Sequence, residues 1–298
     1  MELRQLRYFV AVADHLSFSR AATELHLAQQ SLSQQIGALE RGIGVRLFDR
    51  DTRGTRLTDA GRVFLTEARA VLDRAEQAET VARRADRGEI GRLDLAFLAS
   101  TANYMLPPVV RAVRERFPEL ELTTQDGQID EVVAGLRDGR FDAAFTRPPL
   151  VPDLETRTLA SEPVCAVLPV GHRLAERTEL RLADLADEDW VLAPRAAWPP
   201  WHEKYDRDFA EAGFTPRVRQ RATGVSNLLG LVAAGVGVTR LAGSASSIRR
   251  TGVVFVPLAG DRAETVVAWL RGRDGPIHRN LFAIAADLAA TGDLTHGG

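Results

Sequence analysis

Apolar residues in the first sixty positions fall into three short helical blocks and then change to alternation. Leu6, Phe9, Val10 and Ala13 share one face, the three-and-four spacing of an amphipathic helix. Ser17 stands as an N-cap before Ala21, Ala22 and Leu25, which are small enough to let a second helix cross closely. A third helix is predicted from near Gln29, with Leu32, Ile36, Leu39 and Ile43 as its buried stripe. Its opposite face carries Gln30, Gln34, Gly37 and Arg41, with Ser33 on the flank. Next come the strand-like pair Leu47–Phe48 and a turn at Asp51–Gly54, interleaved with Arg46, Arg50, Arg53 and Arg56. This pattern predicts a hairpin with Arg53 at its tip.

Thr58 can cap a long helix running from about Asp59 to Arg87, where Gly88 stops it. Phe64, Ala68, Val71, Ala75, Ala78 and Ala82 recur at alternating four and three, continued by Ala85, which is a coiled-coil seam. At ~1.5 Å per residue such a helix is roughly 45 Å long. It stands between two domains with no local partner, so the seam is read as a dimerisation face.

From Arg92 strands and helices alternate. Leu93–Leu98, Leu120–Thr124 and Phe141–Phe145 read as strands separated by helices over Asn103–Phe117 and Asp130–Asp138. This βαβαβ order predicts a mainly parallel sheet. A second set of strands is predicted near Val164–Leu168, Trp190–Ala193, Arg217–Arg221 and Gly237–Arg240. Helices near Trp201–Ala212 and Val225–Ala234 lie among them. The late strand Val253–Leu258 and helix Ile277–Ala290 return to the first set, so two lobes joined by two crossings should enclose a cleft. The expected domains are 1–58, 59–89 and 90–298, with one lobe about 90–161 and 250–298 and the other about 162–249.

Polar chemistry narrows the use of the first domain. Gln both donates and accepts, as an adenine edge requires, and Ser pairs with several bases or with phosphate. Gln29, Gln30, Ser31, Ser33 and Gln34 begin the third helix, where a recognition helix meets base edges. A polar helix face alone is an ordinary solvated surface. The hairpin that follows changes the reading, because Arg50, Arg53 and Arg56 are set to grip phosphate or enter a minor groove. Net charge over the whole chain is −2, so attraction to double-stranded DNA has to be local. Residues 1–58 hold eight Arg against six acids, and Asp49 and Asp51 dilute the hairpin.

Here a resemblance becomes close. AATELHLAQQSLSQQI from Ala21, Leu39–Glu40, GVRLFDR from Gly44 and LTDAG from Leu57 are similar to the winged helix-turn-helix of LysR-type transcriptional regulators. The opening MELRQLRYFVAVADHLSF fits as well. Two positions depart from that pattern: Ala28 stands where a capping Ser is common, and Gln30 where proline is common. The resemblance implies an N-terminal winged helix-turn-helix, mainly α, then a long linker helix that pairs subunits. An α/β two-lobed, periplasmic-binding-protein-like effector domain follows. It also implies a homodimer or homotetramer, an inverted-repeat promoter site, a small-molecule effector and a possible touch on RNA polymerase.

Ligands of open α/β sheets bind beyond the carboxyl ends of strands. That rule selects Ser100 and Thr101, the loop Gly127–Gln128–Ile129, the strand end Thr146–Arg147, then Pro199, Pro200 and Trp201, and the helix start Val225–Ser226–Asn227. Apolar Ile129, Trp201 and Val225 beside hydroxyls and one arginine suit a small aromatic or hydrophobic carboxylate. GLVAAGVGV, Ser246–Ser247–Ile248, Val256–Pro257–Leu258 and GHRLA resemble the branch that controls aromatic-compound catabolism. That likeness implies that Ser100, Ile129, Pro199, Trp201 and Val225 line the pocket. Ile129 replaces a threonine common there, which removes one hydrogen bond to a ligand. Arg147 has a second reading, as the partner of an acid on a neighbouring loop.

Other classes find little support. Apolar content of 45% and charged content of 26% are those of a globular protein. No run approaches the ~20 apolar residues of a membrane span, and the N-terminus does not read as a signal peptide, so a cytoplasmic location is expected. The six histidines lack metal-ligand spacing, and no nucleotide loop or nucleophile elbow occurs. Cys165, the only cysteine, sits in an apolar run and reads as a buried thiol. Neither a cofactor, a metal nor an enzyme activity is expected. A transport solute-binding protein would explain the two lobes and leave residues 1–58 without a use.

Overall fold

The computed structural model describes residues 1–51 and 54–291; Arg53, expected from the sequence at the wing tip, lies outside the described residues. The chain forms two units, Met1–Arg84 and Ala85–Gly298.

In the first unit α1 (Leu3–His15), α2 (Phe18–Glu24) and α3 (Gln29–Ile43) enclose a small core. Ser17 caps α2, its hydroxyl accepting from the Arg20 N–H at 3.4 Å. No side chain caps α3, because Ala28 holds that position. Leu32, Ile36 and Leu39 are buried, as their spacing requires. Ile43, the fourth member of that stripe, is instead 36% exposed. The helix ends there in left-handed Gly44 (φ 85°), and Leu47 beyond the turn is the next side chain to enter the core.

The wing is β1 (Phe48–Asp51) paired antiparallel with β2 (Gly54–Leu57), Arg50 opposite Thr55. It is tied to the helices at both ends. Glu40 of α3 accepts from the Leu47 and Phe48 N–H groups at 2.9 and 3.1 Å. Thr58 opens α4 (Asp59–Asp86), its hydroxyl accepting the Gly61 N–H at 2.8 Å and donating to the Arg46 carbonyl at 2.9 Å. Gly61 permits this approach, since a Cβ there would stand 2.1 Å from the Leu47 carbonyl oxygen.

The seam of α4 is only partly free. Ala68 is 1% exposed in the unit's own core, and Phe64 packs there with its ring 5.0 Å from that of Phe9. Ala68 is thereby withdrawn from the expected dimerisation face, and half-buried Phe64 in part. The winged domain lies beside the first turns of α4, which a seven-residue repeat read in isolation cannot reveal. Val71 (42% exposed), Ala75, Ala78 and Ala82 remain on the surface or near it, and Val81 adds to them.

In the second unit β3 (Gly91–Leu98), α5 (Ala99–Arg116), β4 (Leu120–Gly127), α6 (Ile129–Asp138) and β5 (Ala143–Thr146) form the expected parallel unit, with β3 in the middle. Strand β3 feeds straight into α5, four residues earlier than the pattern suggested, and Pro107 and Pro108 lie inside that helix. The rest of the sheet departs from expectation. Val164–Leu168 and Val253–Leu258 are halves of two long strands, β6 (Leu154–Pro169) and β10 (Val253–Leu270), which run antiparallel. Pro163, Pro257 and Gly260 interrupt the apolar alternation, but the pair absorbs the break as an irregularity between Pro257 and Arg262. The sheet order is β4-β3-β5-β10-β6-β9, closed by β9 (Thr239–Ala242).

Beside this sheet, β7 (Asp189–Leu192) pairs parallel with β8 (Arg217–Arg221), and α7 (Pro199–Glu211) and α8 (Val225–Ala233) complete the second lobe. α9 (Pro276–Thr291) returns to bury Leu281 and Ile284 against Leu93 and Leu95 of the first lobe. The long strands β6 and β10 pass through both lobes and connect them, with Leu159 and Val267 in one core and Val164 and Val256 in the other. No described helix is long and apolar enough to cross a membrane.

Candidate functional site

The first candidate surface is the exposed edge of α3. Gln30, Ser31 and Gln34 are exposed and make no side-chain hydrogen bond among the described residues. Gln29 is exposed but tethered, its Oε1 accepting from Ser19 Oγ at 3.1 Å. Ser33 is half-buried, and its hydroxyl accepts from Arg50 Nη1 at 2.8 Å. Arg50 also lies 4.1 Å from the centroid of the Phe18 ring and 3.8 Å from Glu40. The sequence offered Arg50 as a phosphate grip; its guanidinium instead braces the wing against α2 and α3. Arg56 pairs with Asp51 at 2.8 Å and remains exposed, a screened pair that can exchange its partner for phosphate. Glu40 is the site residue whose role the residue pattern did not expose: its carboxylate fixes the start of the wing.

The second candidate surface lies at the carboxyl ends of β3 and β5. Ser100 is half-buried in the first turn of α5, where no side chain caps the helix and its N–H groups can meet an anion. Thr101 does not share that role. It is fully buried, and its hydroxyl is committed at 2.9 Å to both the Leu98 and Phe145 carbonyls. Helix α5 begins at Ala99 rather than Asn103, and this earlier start turns Thr101 into the core. Ile129, 2% exposed, is likewise a core residue, packed with Leu98, Val132, Trp198 and Val266. Pro199 is exposed at the start of α7. Trp201 packs on the same cluster as Ile129 and donates through Nε1 to the Pro148 carbonyl at 3.1 Å. Val225 is placed apart from these, against Val167, Leu229 and Val232. The structure thus brings Ile129 and Trp201 together and leaves Val225 in a different cluster.

Arg147 takes its second reading. It is 8% exposed, and Nη2 donates to Glu162 at 2.7 Å, to Tyr104 Oη at 3.1 Å and to Ser244 Oγ at 3.1 Å. Tyr104 Oη lies 2.6 Å from Thr265 Oγ1. The network joins α5 and β5 of one lobe to β6 and the segment after β9 of the other. Tyr104, Glu162 and Ser244 were not singled out from sequence, because neighbours among them are 58 and 82 residues apart and carry no shared spacing. Burial pushes the Tyr104 phenol above its usual range, against the opposing pull of Arg147, so it stays neutral. Trp198 was also missed: it is the extended N-cap residue before α7, and its ring joins Trp201 on the Ile129 cluster. Cys165 is buried, and that burial raises its thiol above the ordinary range, as expected of an inert side chain. Among the described residues no group of His, Cys, Asp or Glu could hold a metal.

Comparison with known proteins covers both surfaces. Residues 3–62 match the family described as bacterial regulatory helix-turn-helix protein, lysR family, and residues 86–290 match the LysR substrate binding domain. The HTH-type transcriptional regulator AlsR of Bacillus subtilis (strain 168) is 34% identical over 288 residues, 96% of this chain and 95% of that one. The Hca operon transcriptional activator HcaR of Escherichia coli (strain K12) is 36% identical over 304 residues, 98% and 99% of the two chains. The crystal structure of CbnR, a LysR family transcriptional regulator, gives a TM-score of 0.81 at 29% identity over 96% of this chain and 100% of that chain. Full-length CbnR complexed with its target DNA gives 0.79 at 28% identity, over 97% and 100%. An exposed amide edge on a braced recognition helix, a two-lobed unit and relatives matching nearly end to end agree: the chain belongs to the LysR family of bacterial transcriptional regulators, with a helix-turn-helix that binds DNA and a domain that binds an effector.

Proposed function

We propose that the protein acts in the cytoplasm as a homodimer, and in a higher state as a homotetramer, that reads an inverted-repeat promoter site. In this reading Gln30, Ser31 and Gln34 meet base edges, Arg53 and Arg56 meet phosphate, and Arg50 holds the wing in place. One winged helix makes few base contacts; two held by a dyad about one DNA turn apart read both half-sites. Pairing is assigned to the exposed part of α4, Val71, Ala75, Ala78 and Ala82. The observation that carries the reading is the unpaired polar edge of α3 on a unit whose wing is locked by Glu40. CbnR in complex with its target DNA supports it.

The surface beyond β3 and β5 is proposed to take a small aromatic carboxylate. Ser100 and the open first turn of α5 suit the carboxylate, and the Ile129–Trp201 cluster suits a ring. The ligand changes transcription only through a difference in its affinity for two lobe or subunit arrangements, and contact with RNA polymerase is where that difference is read. The protein is proposed to act by binding alone, with no catalytic step.

Footprinting of the full-length protein on DNA upstream of its own and adjacent genes, with and without aromatic carboxylates, tests both halves. The expected result is a protected inverted repeat whose extent changes with at least one compound. Absence of protection on every fragment overturns the proposal.

A further inference from the structure

Between the short 3-10 turn Gly243–Ser247 and the start of β10 the chain runs Ile248, Arg249, Arg250, Thr251, Gly252. Gly252 turns it in the left-handed region (φ 89°), and its carbonyl accepts the Val170 N–H at 3.0 Å. Side chains alternate along a strand, so Val253 and Phe255 share one side of β10. There they join Ile248 on the cluster of Val167, Leu229 and Val232, from β6 and α8. These three half-buried side chains are the apolar lining of an open cleft of about 320 Å³. Ser246, Arg249, Arg250 and Thr251, all exposed, complete it.

The charge in this cleft is unbalanced. Elsewhere in the lobe arginines hold carboxylates: Arg173 with Glu188 at 2.7 Å, Arg195 with Asp206 at 2.7 Å and Arg219 with Asp189 at 2.9 Å. Arg249 and Arg250 have no hydrogen bond and no ion pair among the described residues, and the lining contains no acid. One exposed arginine is ordinary surface. Two that share a cleft repel each other, and the apolar lining beside them is surface that a ligand can cover. Guanidinium forks match the oxygens of carboxylate and phosphate, and the Ser246 and Thr251 hydroxyls can donate to the same oxygens. A volume of about 320 Å³ stands at the lower end of the range of small-molecule sites.

We infer that this cleft is a separate ligand site, for a small organic dianion: two negative charges, as on a phosphate monoester or a dicarboxylate, carried by a compact apolar body. The charges meet Arg249 and Arg250, and the body covers Ile248, Val253 and Phe255. A monoanion leaves one guanidinium unmatched. An inorganic dianion leaves the apolar lining in water. The inference stands apart from the effector reading above, since it uses neither the first turn of α5 nor the Ile129–Trp201 cluster.

The test titrates the full-length protein at about pH 7.5 with phenyl phosphate, phthalate, phenyl sulfate and inorganic phosphate. Calorimetry gives affinity, and hydrogen exchange read by mass spectrometry gives location. Phenyl phosphate and phenyl sulfate share a shape and differ by about one charge. Phenyl phosphate, phthalate or both are expected to bind about tenfold or more tightly than the sulfate and the inorganic ion, and to slow exchange within residues 246–255. The tighter of the two tells phosphate from dicarboxylate as the source of charge. Arg249→Met combined with Arg250→Met is expected to lose that affinity and to melt as the wild type does, because both side chains are exposed and unpaired among the described residues. Phenyl sulfate binding as tightly as the better dianion overturns the need for two charges. Inorganic phosphate binding as tightly as that dianion marks an adventitious ion only and overturns the organic ligand. Protection confined to residues 99–102 places the ligand on the α5 surface and overturns this site. Binding that survives the double variant overturns it too, as does failure of all four compounds to bind.

Discussion

Arg50 lies 4.1 Å over the Phe18 ring and donates to Ser33 at 2.8 Å, so one guanidinium joins α2, α3 and the wing. A stacked and hydrogen-bonded arginine of this kind positions its neighbours. Arg50→Ala is expected to weaken operator binding by about tenfold, at a cost of about 1 kcal/mol in the stability of the first unit. The slope of affinity against salt should stay unchanged, because each lost phosphate contact would lower it by about 0.9. Fluorescence anisotropy at several salt concentrations reads both quantities, and a flattened slope would put Arg50 on phosphate.

Gln34 lies on the same helix, exposed and without a side-chain hydrogen bond among the described residues. Gln34→Ala is expected to cost about 1–3 kcal/mol of discrimination between operator and random DNA, with random-sequence affinity little altered. Competition between labelled operator and random duplex measures the ratio. Equal loss on both sequences would show a backbone contact in place of base reading.

Gly61 is required by space and not by backbone angle. Its missing Cβ would lie 2.1 Å from the Leu47 carbonyl oxygen and 3.0 Å from Leu57, between the start of α4 and both ends of the wing. Gly61→Ala is expected to destabilise the first unit by about 1–3 kcal/mol and to abolish operator binding at higher temperature first. Urea unfolding followed by fluorescence and anisotropy gives both numbers; a wild-type midpoint would mean that the wing can shift at no cost.

Much of this architecture was legible because local rules and the fold agree. Leu32, Ile36 and Leu39 bury as their spacing demands, and the βαβαβ order is read directly from alternating patterns. The misreadings share one cause, contacts distant in sequence. Phe64 and Ala68 obey the seam period yet pack on Phe9 and its neighbours more than fifty residues away. Thr101 sits where a ligand-binding rule places it, but one added helical turn in α5 turns it into core, its hydroxyl spent on the Leu98 and Phe145 carbonyls. The long strands β6 and β10 were hidden by prolines that a local reading takes for strand ends and that a bulge accommodates.

The pairing of Arg147 with Glu162 makes a different kind of prediction. Their side chains are 10% and 15% exposed, so each charge depends on the other. Arg147→Met leaves the carboxylate buried with fewer partners and is expected to cost about 3–5 kcal/mol. Adding Glu162→Met should restore most of that loss, because an apolar pair has no charge to desolvate. Chemical unfolding of the two variants decides the matter. A double variant no more stable than the single one would show that Tyr104 and Ser244 carry the network instead.

His202 gives the second unit a pH dependence of known sign. It is 6% exposed on α7, and its Nε2 donates to the Pro194 carbonyl at 3.0 Å. Burial is the main cause that lowers its pKa below 6.5; Arg221 and Arg195 push the same way, while the Pro194 carbonyl and Asp206 oppose them. The folded state therefore holds the imidazole neutral where the unfolded chain, titrating near its ordinary value of about 6.5, has begun to take up a proton. Between those two pKa values the unfolded state binds more protons, so stability falls as pH drops below about 6.5 and levels off under the folded value. His202→Gln keeps a donor for Pro194 without the titration, and its melting temperature should lose that part of the slope. Thermal melts of both proteins from about pH 7.5 down to about pH 5.5 supply the comparison, and parallel curves would assign the acid sensitivity to other groups.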